Sequence, residues 1–352
     1  MINFPERLKA ARKIKGWSLN ELSHRMGENV LSKQSLSKYE SGEMQPSEEN
    51  LYLICRALGI TMDYFHRRLS ILVNDVSFRK LDIYSAGMQE KIISQTRDFI
   101  ERYLELEEIL SIQAKFNLKK YTGYKINSPA DVEEAAQFIR KEWKLGNDPL
   151  YNVYELLEDQ QIKIVELEDS DSFMGMSTIV KKKIPVIVLN KTEELPVDRK
   201  RFTALHELGH IVMNLDHLSS KEQEEYCHHF AGAILIPKEK LKEEMGSEHR
   251  TKIFFSELGQ LKKQYGISIS ALLFRLADCE IISRNYAFSM MAEMKRQNNF
   301  KVEPDKYDFK GEEKSNRFLQ LILRGVAMEL ISTSKAAALN NQKLAEFRKL
   351  LD

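Results

Sequence analysis

The run Thr203-Ala204-Leu205-His206-Glu207-Leu208-Gly209-His210-Ile211 decides how this sequence is read. His206 and His210 stand four residues apart, so on a helix they lie one turn apart on the same face. Two imidazoles placed this way can hold one Zn²⁺ at about 2.0–2.1 Å each. Glu207 projects about a third of a turn away, beside such an ion rather than on it. There its carboxylate can take a proton from water, as metal-assisted hydrolysis requires. Phe202, Leu205, Val212 and Leu215 supply the apolar side of the helix, and Pro196 opens it.

Hydrolytic zinc needs a third protein ligand and one open position. The next helical run, Glu224-Glu225-Tyr226-Cys227-His228-His229-Phe230-Ala231, offers Glu224, with His228 one turn later to orient it. Asp216 and His217 are rival ligands. From so close to His210 they need a sharp turn, and Met213-Asn214-Leu215 supplies no glycine for one. Glu225 should face solvent, and Cys227 should join Phe230, Ala231 and Ile234 in the core. A closed structural zinc site fits less well, because such sites usually recruit cysteine and Cys227 is poorly placed for that.

Working outward, strand-like runs precede the motif at Ile162 to Leu167, Met174 to Val180 and Ile184 to Leu189. The proline near the start of the last suits an edge or strand-initial position. Ser128-Pro129 starts a helix with Asp131 and Glu133 in its first turn. Helices fill 221 to 290, and a polar segment from Asn298 to Lys314 precedes a final helical piece. Residues 1 to 69 read as short helices, with a capping box at Ser18 and Glu21 and another helix start at Pro46-Ser47. From Met88 to Gln113 the positions Ile92, Thr96, Phe99, Tyr103, Leu106 and Leu110 alternate by four and three, a coiled-coil seam expected to hold a homodimer. A connector helix packed on its own neighbouring domain carries the same pattern.

The fold class is therefore mainly α with a small β-sheet (α+β). The expected pieces are an all-α domain at 1–69, a helical linker at 70–127, a zinc domain at 128–290 and C-terminal helices at 291–352. With 43% hydrophobic and 30% charged residues, the chain reads as an ordinary soluble protein. A formal net charge of +1 excludes a polyanion binder or membrane-surface protein as a whole. The first 70 residues do carry 11 Lys/Arg against 8 Asp/Glu. Three scattered cysteines argue against a disulfide framework, and no stretch reaches the roughly eighteen apolar residues of a membrane span. A cytoplasmic location is expected.

Residues 128 to 282 resemble the ImmA/IrrE-type metallopeptidases. The resemblance rests on the run from Thr203 to Ile211 and on Glu224 followed by Cys227-His228-His229-Phe230-Ala231-Gly232-Ala233-Ile234-Leu235-Ile236-Pro237. His228 stands where that family usually has asparagine, and Ile234 where it has leucine or phenylalanine. The resemblance implies a zincin-like domain in which His206, His210 and Glu224 bind zinc and Glu207 is the general base. It also implies a soluble endopeptidase that cuts one partner transcription factor, a repressor or antitoxin-like protein.

The first 69 residues resemble the Cro/repressor-type helix-turn-helix domain. That likeness is carried by Trp17 to Leu22, Ser32 to Gly42, Pro46-Ser47 and Leu58-Gly59-Ile60. It implies binding to an operator-like DNA site, with base contacts from Lys33, Gln34 and Lys38 and a phosphate contact from Ser35. Leu19 replaces the usual glutamine, so one customary phosphate contact is missing. The stretch from Arg324 to Leu350 is similar to the C-terminal tail of such two-domain proteins. Two functions compete: a DNA-tethered protease, and a one-component regulator whose zinc domain senses or dimerises without cutting. The presence of Glu207 favours the protease, since a pure sensor has no use for it.

Overall fold

Three serines start three of the first helices. The hydroxyls of Ser18, Ser32 and Ser47 each accept the backbone N–H three residues on, at the heads of α2 (Leu19–Met26), α3 (Lys33–Ser41) and α4 (Glu48–Leu58). With α1 (Phe4–Ile14) and α5 (Asp63–His66), these helices close over Phe4, Leu8, Leu22, Leu36, Ile54 and Leu58. Arg12 grips both carboxylate oxygens of Glu40, at 2.7 and 2.6 Å, fixing α3 against α1. The computed structural model describes residues 4–27, 30–67, 84–113, 115–121, 125–168, 173–192, 195–246, 249–297, 303 and 305–351. Residues 70–83 of the expected linker and part of the polar stretch after Asn298 lie outside these. The chain divides into two units, residues 1–114, 180–182 and 316–352 in one and 115–179 and 183–315 in the other. In the first unit α6 (Ala86–Ile109) runs on from Ser85 and packs on α1, where Arg7 and Glu101 form a buried ion pair at 2.7 Å.

The second unit holds α7 (Leu118–Tyr121), α8 (Pro129–Glu142), α9 (Val153–Asp159), β1 (Lys163–Leu167), β2 (Gly175–Val180), β3 (Ile184–Asn190), α10 (Val197–Val212), α11 (Ser220–Leu235), α12 (Lys238–Met245), α13 (Phe255–Tyr265), α14 (Ile269–Asp278) and α15 (Arg284–Gln297). The described strands form one sheet in the order β1-β3-β2. β3 runs parallel to β1, from Lys163 opposite Val186 to Leu167 opposite Asn190. Buried along nearly its whole length, β3 needs its unbroken apolar run. It is the central strand, so Pro185 is not at an edge. Pro185 sits just before the first residue paired with β1, where its missing N–H costs that ladder nothing.

The chain then returns to the first unit as α16 (Arg317–Ala327), α17 (Thr333–Leu339) and α18 (Leu344–Arg348). Phe318 stacks on Tyr103 at 5.2 Å, Arg102 donates to the Leu339 carbonyl, and Lys335 pairs with Glu105. The seam expected to join two copies is therefore occupied within one chain. Ile92, Thr96, Tyr103 and Leu106 are buried, and Tyr103, Leu106 and Leu110 form a core with Phe318, Leu321 and Ile322. The apolar spacing marked the buried face of α6, but it meets the chain's own helices. The residues expected as a C-terminal region, 291–352, are shared between the units.

One polar clamp fastens the helices around the zinc-motif core. Glu133 of α8 pairs with Arg275 of α14 and accepts from His229 of α11 at 2.6 Å, while Arg275 also donates to the Ile236 carbonyl at 3.0 Å. Burial raises the Glu133 pKa, but the His229 and Arg275 hydrogen bonds outweigh it and hold the carboxyl at about 2. A depressed acid contributes stability above its unfolded pKa of roughly 4.3 and loses it as pH falls through the folded value. Glu133→Gln should therefore cost about 3 kcal/mol at pH 7. In urea unfolding followed by circular dichroism, variant and parent should converge between pH 4.5 and 2.

Candidate metal centre

Gly209 makes the site. A methyl group there would lie 3.2 Å from Cys227 Sγ and 3.3 Å from the Phe230 ring, so its absence lets α11 settle onto α10. The fully buried Cys227 belongs to this contact, as the sequence suggested. One turn before it, Glu224 comes to lie against the histidine pair. Its Oε2 is 3.4 Å from His206 Nε2 and its Oε1 2.9 Å from His210 Nε2. One donor atom from each residue falls within 4.8 Å of the others, the one group of this kind among the described residues. Two imidazole nitrogens and a carboxylate are a donor set that suits Zn²⁺. Both histidines are buried, while a third of the Glu224 side chain is exposed. Solvent can therefore reach the group from the Glu224 side. The rivals Asp216 and His217 are exposed in the loop between the helices and lie outside the group.

Glu207 is buried next to this group, and Ser177 Oγ donates to its Oε2 at 2.7 Å. The serine arrives there because β2 lies tight against α10. Gly175 shares the strand face of Ser177, and a methyl at Gly175 would sit 2.6 Å from Thr203 Cγ2 and 3.3 Å from Glu207 Cγ. Sequence reasoning placed this stretch in a strand but gave Ser177 no part. The available signal was a glycine and a serine two residues apart on a strand that ends the sheet.

His228 does not hold the Glu224 carboxylate. Its Nδ1 donates to the Glu224 main-chain carbonyl at 2.7 Å, and its ring lies 4.4 Å from that of His206. Burial, and then the neighbouring His206, push its pKa down. A neutral ring that donates through Nδ1 leaves Nε2 as an acceptor. Glu225 is exposed, as expected, and pairs with Arg284 at 3.3 Å.

In the first unit α3 shows Lys33, Gln34 and Lys38 to solvent while Leu36 and Tyr39 are buried. Ser35 is half-buried, and its hydroxyl lies 3.0 Å from that of Ser32, the residue capping the helix. The first turn of α3 is thus a polar surface held on a fixed core.

Residues 8–65 match the model of a helix-turn-helix family, and residues 157–277 match that of the IrrE N-terminal-like domain, a peptidase family. No curated protein matches the chain. No described helix is long and apolar enough to cross a membrane. Residues 8–65 are thus similar to an XRE-type helix-turn-helix domain, and residues 157–277 to the peptidase-type domain of the ImmA/IrrE family.

Proposed function

We propose that this protein is a DNA-binding, zinc-dependent endopeptidase that cleaves a partner regulatory protein, a repressor or antitoxin-like factor, and so controls transcription. The observation that carries this reading is the convergence of His206, His210 and Glu224 beside a Glu207 carboxylate already held by Ser177. A Zn²⁺ held by the three donors would polarise the scissile carbonyl and lower the pKa of water. With Oε2 engaged by Ser177, Glu207 has Oε1 to take the proton of the attacking water. It then passes that proton to the nitrogen of the departing amine as the C–N bond breaks. A carboxylate free to rotate would spend less time aimed at the water, so Ser177 is a positioning residue. The exposed side chains of α3 fit the companion role of bringing the peptidase to DNA.

Removing either imidazole or the carboxylate, as in His206→Ala or Glu224→Ala, should reduce zinc in elemental analysis to near zero. Glu207→Gln should keep the zinc and lose about 10²–10⁴ in cleavage rate, because an amide cannot accept the proton. If the glutamine variant cuts as fast as the parent, a non-proteolytic regulator is the better reading. Ser177→Ala should lower kcat about tenfold with KM little changed, and Ser177→Thr should restore most of it. In mobility shifts on sites selected from random DNA, Gln34→Ala should relax preference at one base pair by about 1–3 kcal/mol. Equal binding of the parent to selected and random DNA would remove sequence reading from this domain.

A further inference from the structure

A groove of about 1130 Å³ lies one side chain away from the candidate metal donors, none of which lines it. His228 joins the two, lining the groove while its ring lies 4.4 Å from that of His206. Glu225, His228, His229 and Gly232 form one wall, and their spacing puts them on a single face of α11. Phe202, one turn before His206 on α10, stands at the same end. The far wall is α14 together with Phe288 of α15.

Most charges in the groove are satisfied within the chain. Lys262 is held by Asp198 at 3.1 Å and Glu303 at 3.0 Å, Arg275 by Glu133, and Arg284 by Asp278 at 3.2 Å and Glu225 at 3.3 Å. Asp308, 43% exposed, also lines the groove and lies 3.5 Å from Lys262, and two kinds of group there stand outside these ion pairs. Phe274 and Phe288 meet edge to face at 5.7 Å yet remain 42% and 55% exposed. Arg199 and Lys310 are exposed cations that line the same groove and make no ion pair with a described residue. Exposed phenylalanines in a concave wall beside reactive groups are the usual mark of a binding surface. The cations add a charge that only an anionic partner complements.

We propose that this groove is the substrate cleft of the metal centre and selects an acidic, apolar peptide segment. Such a segment seats a large apolar side chain against Phe274 and Phe288 and presents a carboxylate to Arg199 and Lys310. The inference rests on the peptidase reading for its purpose, but its binding claim is testable separately. The probes are fluorescein-labelled twelve-residue Ala/Gly peptides carrying one Phe and one Asp at varied spacing, with Phe→Ala and Asp→Lys counterparts. Anisotropy with zinc-loaded, full-length Glu207→Gln protein should show the best Phe/Asp peptide bound at least tenfold more tightly than either counterpart. Phe274→Ser with Phe288→Ser should abolish the preference for Phe. Arg199→Glu with Lys310→Glu, both surface changes that leave the core intact, should reverse the preference for Asp. Zinc content and circular dichroism verify that each variant is folded. Equal affinity for all peptides, or preferences unchanged in folded variants, overturns the proposal. Selective binding without cleavage by the parent protein keeps the groove and overturns the peptidase reading. Cleavage without selectivity does the reverse.

Discussion

The close contact of α10 and α11 at Gly209 brings together the three residues on which the candidate metal group depends. Helices normally pack with axes about 8–10 Å apart, according to the side chains between them. A glycine facing Cys227 and Phe230 lets these two approach closely, and that approach carries Glu224 to within 3.4 Å of His206 and 2.9 Å of His210. A side chain at position 209 would meet Cys227, Met213 and Phe230 at 3.2–3.3 Å and force them to give way. Gly175 acts in the same way on the other side of α10. It lets β2 lie close enough for Ser177 to reach Glu207. Two missing side chains thus let α11 and β2 close on α10, one bringing Glu224 to the histidine pair and the other bringing Ser177 to Glu207.

Around that helix the polar groups hold the frame as well as carrying chemistry. The Glu133–Arg275–His229 clamp joins three helices, and Arg275 and His229 also line the groove. Glu303 accepts from Ile269 N and Ser270 N, supplying the first turn of α14 with the acceptors it lacks. In the first unit the equivalent service comes from Arg12 and Glu40, which hold α3 so that Lys33 and Gln34 face outward from a fixed base. Buried pairs of this kind cost desolvation, and losing one partner is expensive because the other is left uncompensated.

Much of the candidate metal group was legible because its central pair is local. Four residues on a helix place His206 and His210 by geometry alone, and Glu224 followed from the next helix. Its preference over Asp216 and His217 agrees with their exposure in the loop. The three strands and the serine-capped helix starts were also readable, since alternation and capping are short-range patterns. Ser177 was not, because its partner is thirty residues away and only the packing of a strand on a helix brings them together. The periodicity of α6 showed the opposite limit. It marked Ile92, Tyr103 and Leu106 as a buried face, but spacing does not say what buries it, and the C-terminal helices do so here. His228 falls between the two cases: its turn was right, and its hydrogen bond goes to the main chain of Glu224.

Every proposed role of these residues depends on the metal shell, and X-ray absorption at the zinc K-edge of the purified protein reads that shell most directly. Two imidazole nitrogens, one carboxylate oxygen and one water oxygen should appear at about 2.0–2.2 Å, with no sulfur. A zinc–sulfur distance near 2.3 Å, or a protein that holds no stoichiometric zinc after metal loading, would contradict the assignment of His206, His210 and Glu224 as the centre on which the rest is built.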